Sequence, residues 1–163
     1  MVVRVQAEPF DPGAELASFA RGRTDVGGIA TFVGLVRDEH AGEPVAAMTL
    51  EHYPGMTERR LAEIEAEARR RWPLLDTLVL HRVGRMLPGE PIVLVAASSA
   101  HRAAALEACA FLIDWLKTRA PFWKLEETPG GGERWVEARE SDDAAAARWE
   151  TPAGQGGEAF LTS

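Results

Sequence analysis

Lysine is nearly missing from this chain. Of 18 basic residues in 163, all but two are arginine, and the two lysines, Lys117 and Lys124, stand together in the segment KTRAPFWK. Cysteine occurs once, at Cys109, which excludes a disulfide within the chain and any cysteine-rich zinc site. The four histidines, His40, His52, His81 and His101, show neither HxxH nor HExxH spacing, so a metal would need ligands from distant segments and none is expected. No apolar run approaches the roughly 18–20 residues of a membrane span. The opening MVVRVQAEPFDPGAEL has no basic stretch followed by an apolar core, so no secretory leader and a cytoplasmic location are expected. A net charge of −7 leaves no excess of cations for coating nucleic acid or a membrane surface.

What is present is an ordinary globular composition, 46% hydrophobic and 26% charged, with the length of one domain and its core. Residues 1–150 are expected to form that domain, and the glycine-rich 151–163 a flexible tail. The strands are read at 2–6, 26–36, 45–53, 75–84 and 91–99, with a closing hairpin from 122–128 and 134–138 around PGGGE. The glycines of VGGIATFVGLV predict a bulge or a close backbone approach. The segment 45–53 is expected to pair back onto 26–36 across the polar loop 37–44. Helices are read at 14–22, 56–72, 100–120 and 141–150. Thr57, Ser98 or Ser99, and Ser141 are the expected caps of the last three. Leu61, Ile64 and Ala68 form an apolar line on the first long helix, with its glutamates and arginines on a solvated face. The pattern is α+β: a mostly antiparallel sheet, two long helices packed on it, and a small hairpin subdomain.

The candidate functional residues sit at element ends. Arg37 follows an apolar strand, His101 and Arg102 open the second long helix, Lys117 closes it, Lys124 lies past Pro121, and Arg139 follows RWVEA. Cations at a helix N-terminus oppose the helix dipole, and a bound anion explains them. Lys117 has a bland account as a C-terminal dipole partner. An amine can lose a proton where guanidinium cannot, and the retention of lysine at 117 and 124 fits that need as well as it fits coding bias. Cys109 reads as a buried small apolar residue and His81-Arg82 as structural. Sixteen residues separate His101 from Lys117, about 24 Å along one helix. Either the two helix ends serve two sites, or the protein is a dimer in which one copy's His101-Arg102 meets the other's Lys117, and the dimer is the preferred expectation.

Taken jointly and in order, FVGLVRDEHAGEPV, LEHYPGM, HRVGRMLPGE, SSAHRAAALEA, LKTRAPFWKLE and RWVEARESD resemble the MoaE family, the catalytic (large) subunits of molybdopterin synthase, over residues 1–150. The resemblance implies an α/β hammerhead-type fold and a homodimer. Each subunit would bind one small ubiquitin-like (MoaD-like) sulfur carrier by its Gly-Gly C-terminus, giving a heterotetramer. It implies sulfur transfer from the carrier's thiocarboxylate to cyclic pyranopterin monophosphate, forming the dithiolene of molybdopterin, with no cofactor. Lys117 and Lys124 match the catalytic lysines. Leu35, Val36 and Arg37 match a substrate-binding segment, and His101 and Arg102 the pair that holds the pterin or its phosphate. Arg139 matches a further basic residue of the pocket. Lys124, Leu125 and Glu126 match a substrate-contacting stretch, in which Leu125 stands where a basic residue is common. Two other functions fit the residues taken alone. One is a non-catalytic module binding a ubiquitin-like tail. The other is an unrelated enzyme acting on a phosphorylated metabolite.

Overall fold

The computed structural model describes residues 1–136 and 140–150, with the side chains of Glu140 and Ser141 excepted. Arg139, the expected Ser141 cap and the expected tail 151–163 lie outside what is described. Ten strands and four helices alternate along the described chain. They run β1 (Val2–Gln6), α1 (Pro12–Ala20), β2 (Gly28–Leu35), β3 (Glu39–His40), β4 (Glu43–Pro44), β5 (Ala47–His52) and α2 (Met56–Arg71). There follow β6 (Leu74–Arg82), β7 (Gly84–Met86), β8 (Pro91–Ser99), α3 (Arg102–Arg119), β9 (Phe122–Glu127), β10 (Glu133–Val136) and α4 (Glu140–Ala147). The α+β expectation holds: two four-stranded sheets, β1-β6-β8-β2 and β10-β9-β5-β7, are antiparallel except for the β1–β6 pair.

Period-2 alternation builds a core on both faces of the first sheet. Val79, Val93, Val95 and Ala97 join Phe111, Leu112, Leu61 and Ile64 in the main core under α2 and α3. Leu78, Leu80, Leu94 and Ala96 face the other way and pack against Phe10 and Phe19. The expected apolar line of α2 is buried, at Leu61, Ile64 and Ala68. Glu65 departs from the solvated face expected for its neighbours. It is buried and accepts hydrogen bonds from Arg69 and from the Thr77 hydroxyl, the latter at 2.6 Å.

Several local expectations are corrected. β5 does not pair with β2: it lies between β9 and β7, and β2 pairs only with β8. The reason is that 37–44 is not a simple reversal. It closes on itself as the β3–β4 hairpin, with Ala41 and Gly42 at φ 52° and 81° and Val45 N–H donating to the Asp38 carbonyl, and so delivers the chain to the second sheet. Gly84, at φ 90°, turns the chain out of β6 so that β7 joins the same sheet. Thr57 is not the cap of α2. It is fully buried, accepts from the Tyr53 N–H and donates to the Pro121 carbonyl, while the Gly55 N–H is satisfied by Glu58. Neither Ser98 nor Ser99 occupies the cap position of α3, which is His101; both donate to carbonyls before β6 or at its start, Asp76 and Pro73. α1 begins two residues before the expected start because Asp11 accepts from the N–H groups of Gly13 and Ala14. No helix among the described residues is long and apolar enough to cross a membrane.

Candidate functional site

A cavity of about 540 Å³ opens where the end of β2, the end of α3 and the inner face of β9 converge. Three local features of the sequence make it. At the end of β2 the register with β8 shifts between Gly34 and Leu35, the expected bulge. A side chain at Gly34 would lie 2.6 Å from Val93 Cγ1, so only glycine lets the strand pass this close. Beyond it the Val36 N–H donates to the Glu90 carbonyl and the Val36 carbonyl accepts from Gly89, fixing the backbone that presents Arg37. At the other side α3 ends at Arg119 before Pro121, so Lys117 stands in its last turn. The chain then enters β9, where alternation gives Phe122, Lys124 and Glu126 a common face.

The structure brings Leu35, Val36, Arg37, Lys117, Lys124 and Glu126 to the rim and wall of this one cavity. Leu125 does not line it. It falls on the opposite face of β9, across from Trp135 and Thr49, so a leucine there takes no charge out of the basin. His101 and Arg102 do not line it either, because they begin the helix that Lys117 ends. Their position is set by a close approach: a methyl group on Gly27 would lie 1.9 Å from the Ala100 carbonyl oxygen, and the Gly27 N–H donates to Ser99.

Two residues of the site, His40 and His81, were not read as functional in the sequence, and Glu126 was read there only through the resemblance. Glu126 is 7% exposed and accepts from His40 Nδ1 at 2.7 Å and from Arg134 Nε at 3.2 Å. His40 thereby ties the β3–β4 hairpin, next to Arg37, to the strand of Lys124. His81, read as structural, lines the cavity; its ring stacks on Phe122 at 4.0 Å between centroids, and its Nδ1 donates to the Arg82 carbonyl at 3.0 Å. Burial holds its pKa down at about 4, against the Arg82 carbonyl, which raises it, and the positive charges of Lys124, Lys117 and His52 add to the lowering. The signal for it was the strand alternation that aligns His81 with Val79 and pairs it with Val93. Cys109 is buried and its thiol pushed up to about 11 by desolvation, as a packing residue should be. Among the described residues no group of three or more His, Cys, Asp or Glu is arranged to hold a metal.

A basin with two amines, a guanidinium, a buried carboxylate and an apolar floor can hold an extended anionic tail and a polar substrate together. Comparison with known proteins agrees with the resemblance drawn from the motifs. A Pseudomonas aeruginosa molybdopterin synthase catalytic subunit is 57% identical over 150 residues, covering 92% of this chain and 99% of that protein. A solved structure described as the molybdopterin biosynthesis MoaE protein from Burkholderia ambifaria superposes with a TM-score of 0.77 at 53% identity, over 92% of this chain and 98% of that one. A Helicobacter pylori structure, described as the protein–protein complex of subunits 1 and 2 of molybdopterin-converting factor, shares the fold at 20% identity and a TM-score of 0.70, over 86% and 92% of the two chains. The profile of the MoaE protein family matches residues 5–119, and the chain belongs to that family.

Proposed function

We propose that the basin is the sulfur-transfer site of a molybdopterin synthase catalytic subunit. The observation that carries this reading is that Lys117 and Lys124, the only amines on side chains of this protein, line the same cavity as Arg37 and Glu126. In the reaction, sulfur passes from the C-terminal thiocarboxylate of a small ubiquitin-like carrier to cyclic pyranopterin monophosphate. The carrier's Gly-Gly end has no side chains and suits the apolar floor. Its terminal anion meets Lys117 at the helix end. The transfer requires protons to move and negative charge to be stabilised on departing oxygen; an ammonium does both, whereas a guanidinium supplies charge alone.

His101 and Arg102 enter this reading from a second copy of the chain. They stand about 24 Å from Lys117 along α3, so a homodimer would bring one copy's pair to the other's basin, where they and Arg139 would hold the substrate phosphate. One carrier per basin gives a heterotetramer, and the two-subunit complex described for the Helicobacter pylori relative supports a docked carrier. Incubating the chain with thiocarboxylated carrier and the cyclic pterin phosphate should yield molybdopterin, read by the fluorescence of its oxidised form. A pure, folded chain that gives no product under these conditions would overturn the reading.

A further inference from the structure

His81 is 6% exposed, yet it sits on the wall of the cavity that Lys117 and Lys124 line and not in the body of the core. Two contacts and a nearby charge define its state. Its Nδ1 faces the Arg82 carbonyl, an acceptor only, so the ring proton sits on Nδ1. Its face stacks on Phe122, which fixes the ring plane. Phe122 and Lys124 are alternate residues on one face of β9, and Lys124 lines the same cavity as His81, near enough for its charge to act on the ring. Burial beside Lys124 and Lys117 keeps a second proton off the ring at neutral pH. Nε2 is then a lone-pair acceptor, neutral and fixed, in a basin where the Arg37, Lys117 and Lys124 cations stand beside the Glu126 carboxylate.

We propose that His81 is a positioning residue for sulfur transfer: its Nε2 accepts a hydrogen bond from the Lys124 ammonium and holds that amine in line with the reacting atoms. A carboxylate in the same place would orient the amine equally well, but it would neutralise the charge the site needs for its anions. A neutral imidazole orients without neutralising. The role rests on the sulfur-transfer reading, while the contact to Lys124 does not.

The scarcity of lysine makes the contact directly measurable. With two lysines in the chain, amine acylation followed by peptide mass spectrometry reads each one separately, and Lys117 is the internal control. The variants are His81→Phe, which keeps the stack on Phe122 and loses both nitrogens, and His81→Asn, which keeps an N–H for the Arg82 carbonyl but is too short to reach Lys124. His81→Gln, with a carbonyl at longer reach, is the rescue. An ammonium that loses an acceptor gives up its proton more readily, so Lys124 labelling at fixed pH should rise about three- to tenfold relative to Lys117 in the Phe and Asn variants. The rate constant of dithiolene formation should fall at least about tenfold in both with KM for the pterin within about twofold, and Gln should recover part of each change. Unchanged Lys124 labelling in either folded variant overturns the contact, whatever the activity. Changed labelling with an unchanged rate constant overturns the positioning role. A wild-type chain that makes no molybdopterin overturns the sulfur-transfer reading instead, and the labelling ratio then decides the contact by itself.

Discussion

His40 Nδ1 donates to Glu126 Oε1 at 2.7 Å, and this bond joins the β3–β4 hairpin to β9 across 86 residues of sequence. Arg37 lies at the foot of the hairpin and Lys124 two residues from Glu126, so the bond sets the spacing between a guanidinium and an amine that line one cavity. Glu126 keeps Arg134 as its other partner, so removing His40 leaves the carboxylate paired and loosens the hairpin. Charge-assisted bonds of this kind contribute about 1.5–3 kcal/mol. His40→Ala should therefore raise KM for the pterin several-fold with a smaller fall in kcat, and amide exchange across 37–45 should quicken. Exchange at the wild-type rate would show that the hairpin is held by other contacts.

Acid should act on this fold through His81. Its folded pKa is about 4, below the ordinary 6.5. Above pH 6.5 the ring is neutral whether the chain is folded or not, and stability is untouched. As pH falls from 6.5 toward 4 only the unfolded chain takes up the proton, so stability is lost, to a full extent of about 3 kcal/mol below pH 4. Urea unfolding at pH 7.5 and 4.5 should show the wild type losing about 2 kcal/mol more than His81→Phe, which has nothing to protonate. Equal losses in the two proteins would mean that the ring is solvated.

Gly27 fixes the start of α3 by close approach. A methyl group there would lie 1.9 Å from the Ala100 oxygen and 2.8 Å from its carbonyl carbon, both backbone atoms that no rotamer change can relieve. Gly27→Ala should destabilise by at least about 2 kcal/mol and displace the turn that presents His101 and Arg102. Gly130, with nothing within 4 Å of its own added methyl and no positive φ, is the control, and its alanine variant should fall within about 0.5 kcal/mol of wild type. A Gly27→Ala protein of normal melting temperature would dismiss the close approach.

The legible parts of the sequence were those governed by local rules. The apolar line Leu61, Ile64, Ala68, the stop at Pro121 and the hairpin around PGGGE all appear where periodicity and turn chemistry place them. What escaped was non-local. The partner of 45–53 depends on 37–44 folding on itself, which its polar composition does not announce. Thr57 has the right residue type for a cap, but its hydroxyl is used up by Tyr53 and Pro121, one of them 64 residues away. Lys117 and Lys124 were visible because lysine is so scarce in this chain, and Arg37 because a cation directly follows an apolar strand. His81 was passed over because it sits inside an apolar strand, and only the tertiary meeting of β6 with β9 and α3 turns that strand residue into a wall of the basin.

Arginine should fail at both lysine positions although it serves everywhere else in the chain. Lys117→Arg and Lys124→Arg keep the charge that attracts the carrier tail and the pterin phosphate, so binding of both should change little. What they remove is an amine able to give and take a proton, a contribution of typically about 10²–10⁴ in rate. Single-turnover dithiolene formation should fall by at least about 10² in each variant, with carrier affinity preserved by titration calorimetry. A silent Lys124→Arg would instead favour a module that only holds a ubiquitin-like tail.

The far separation of His101-Arg102 from Lys117 gives the shared site its strictest test. Lys117→Ala and Arg102→Ala homodimers should each be inactive. If Lys117 comes from one copy and Arg102 from its partner, as proposed, one basin of a mixed dimer carries both lesions and the other carries neither. Unfolding and refolding the two variants together should thus restore about a quarter of wild-type activity, since half the dimers are mixed and each has one intact basin. If all the residues of a basin belonged to one copy, every basin in every dimer would carry a lesion and mixing would restore nothing. A chain that sediments as a monomer with full activity would sink the shared basin outright, and His101-Arg102 would then need an anion of their own.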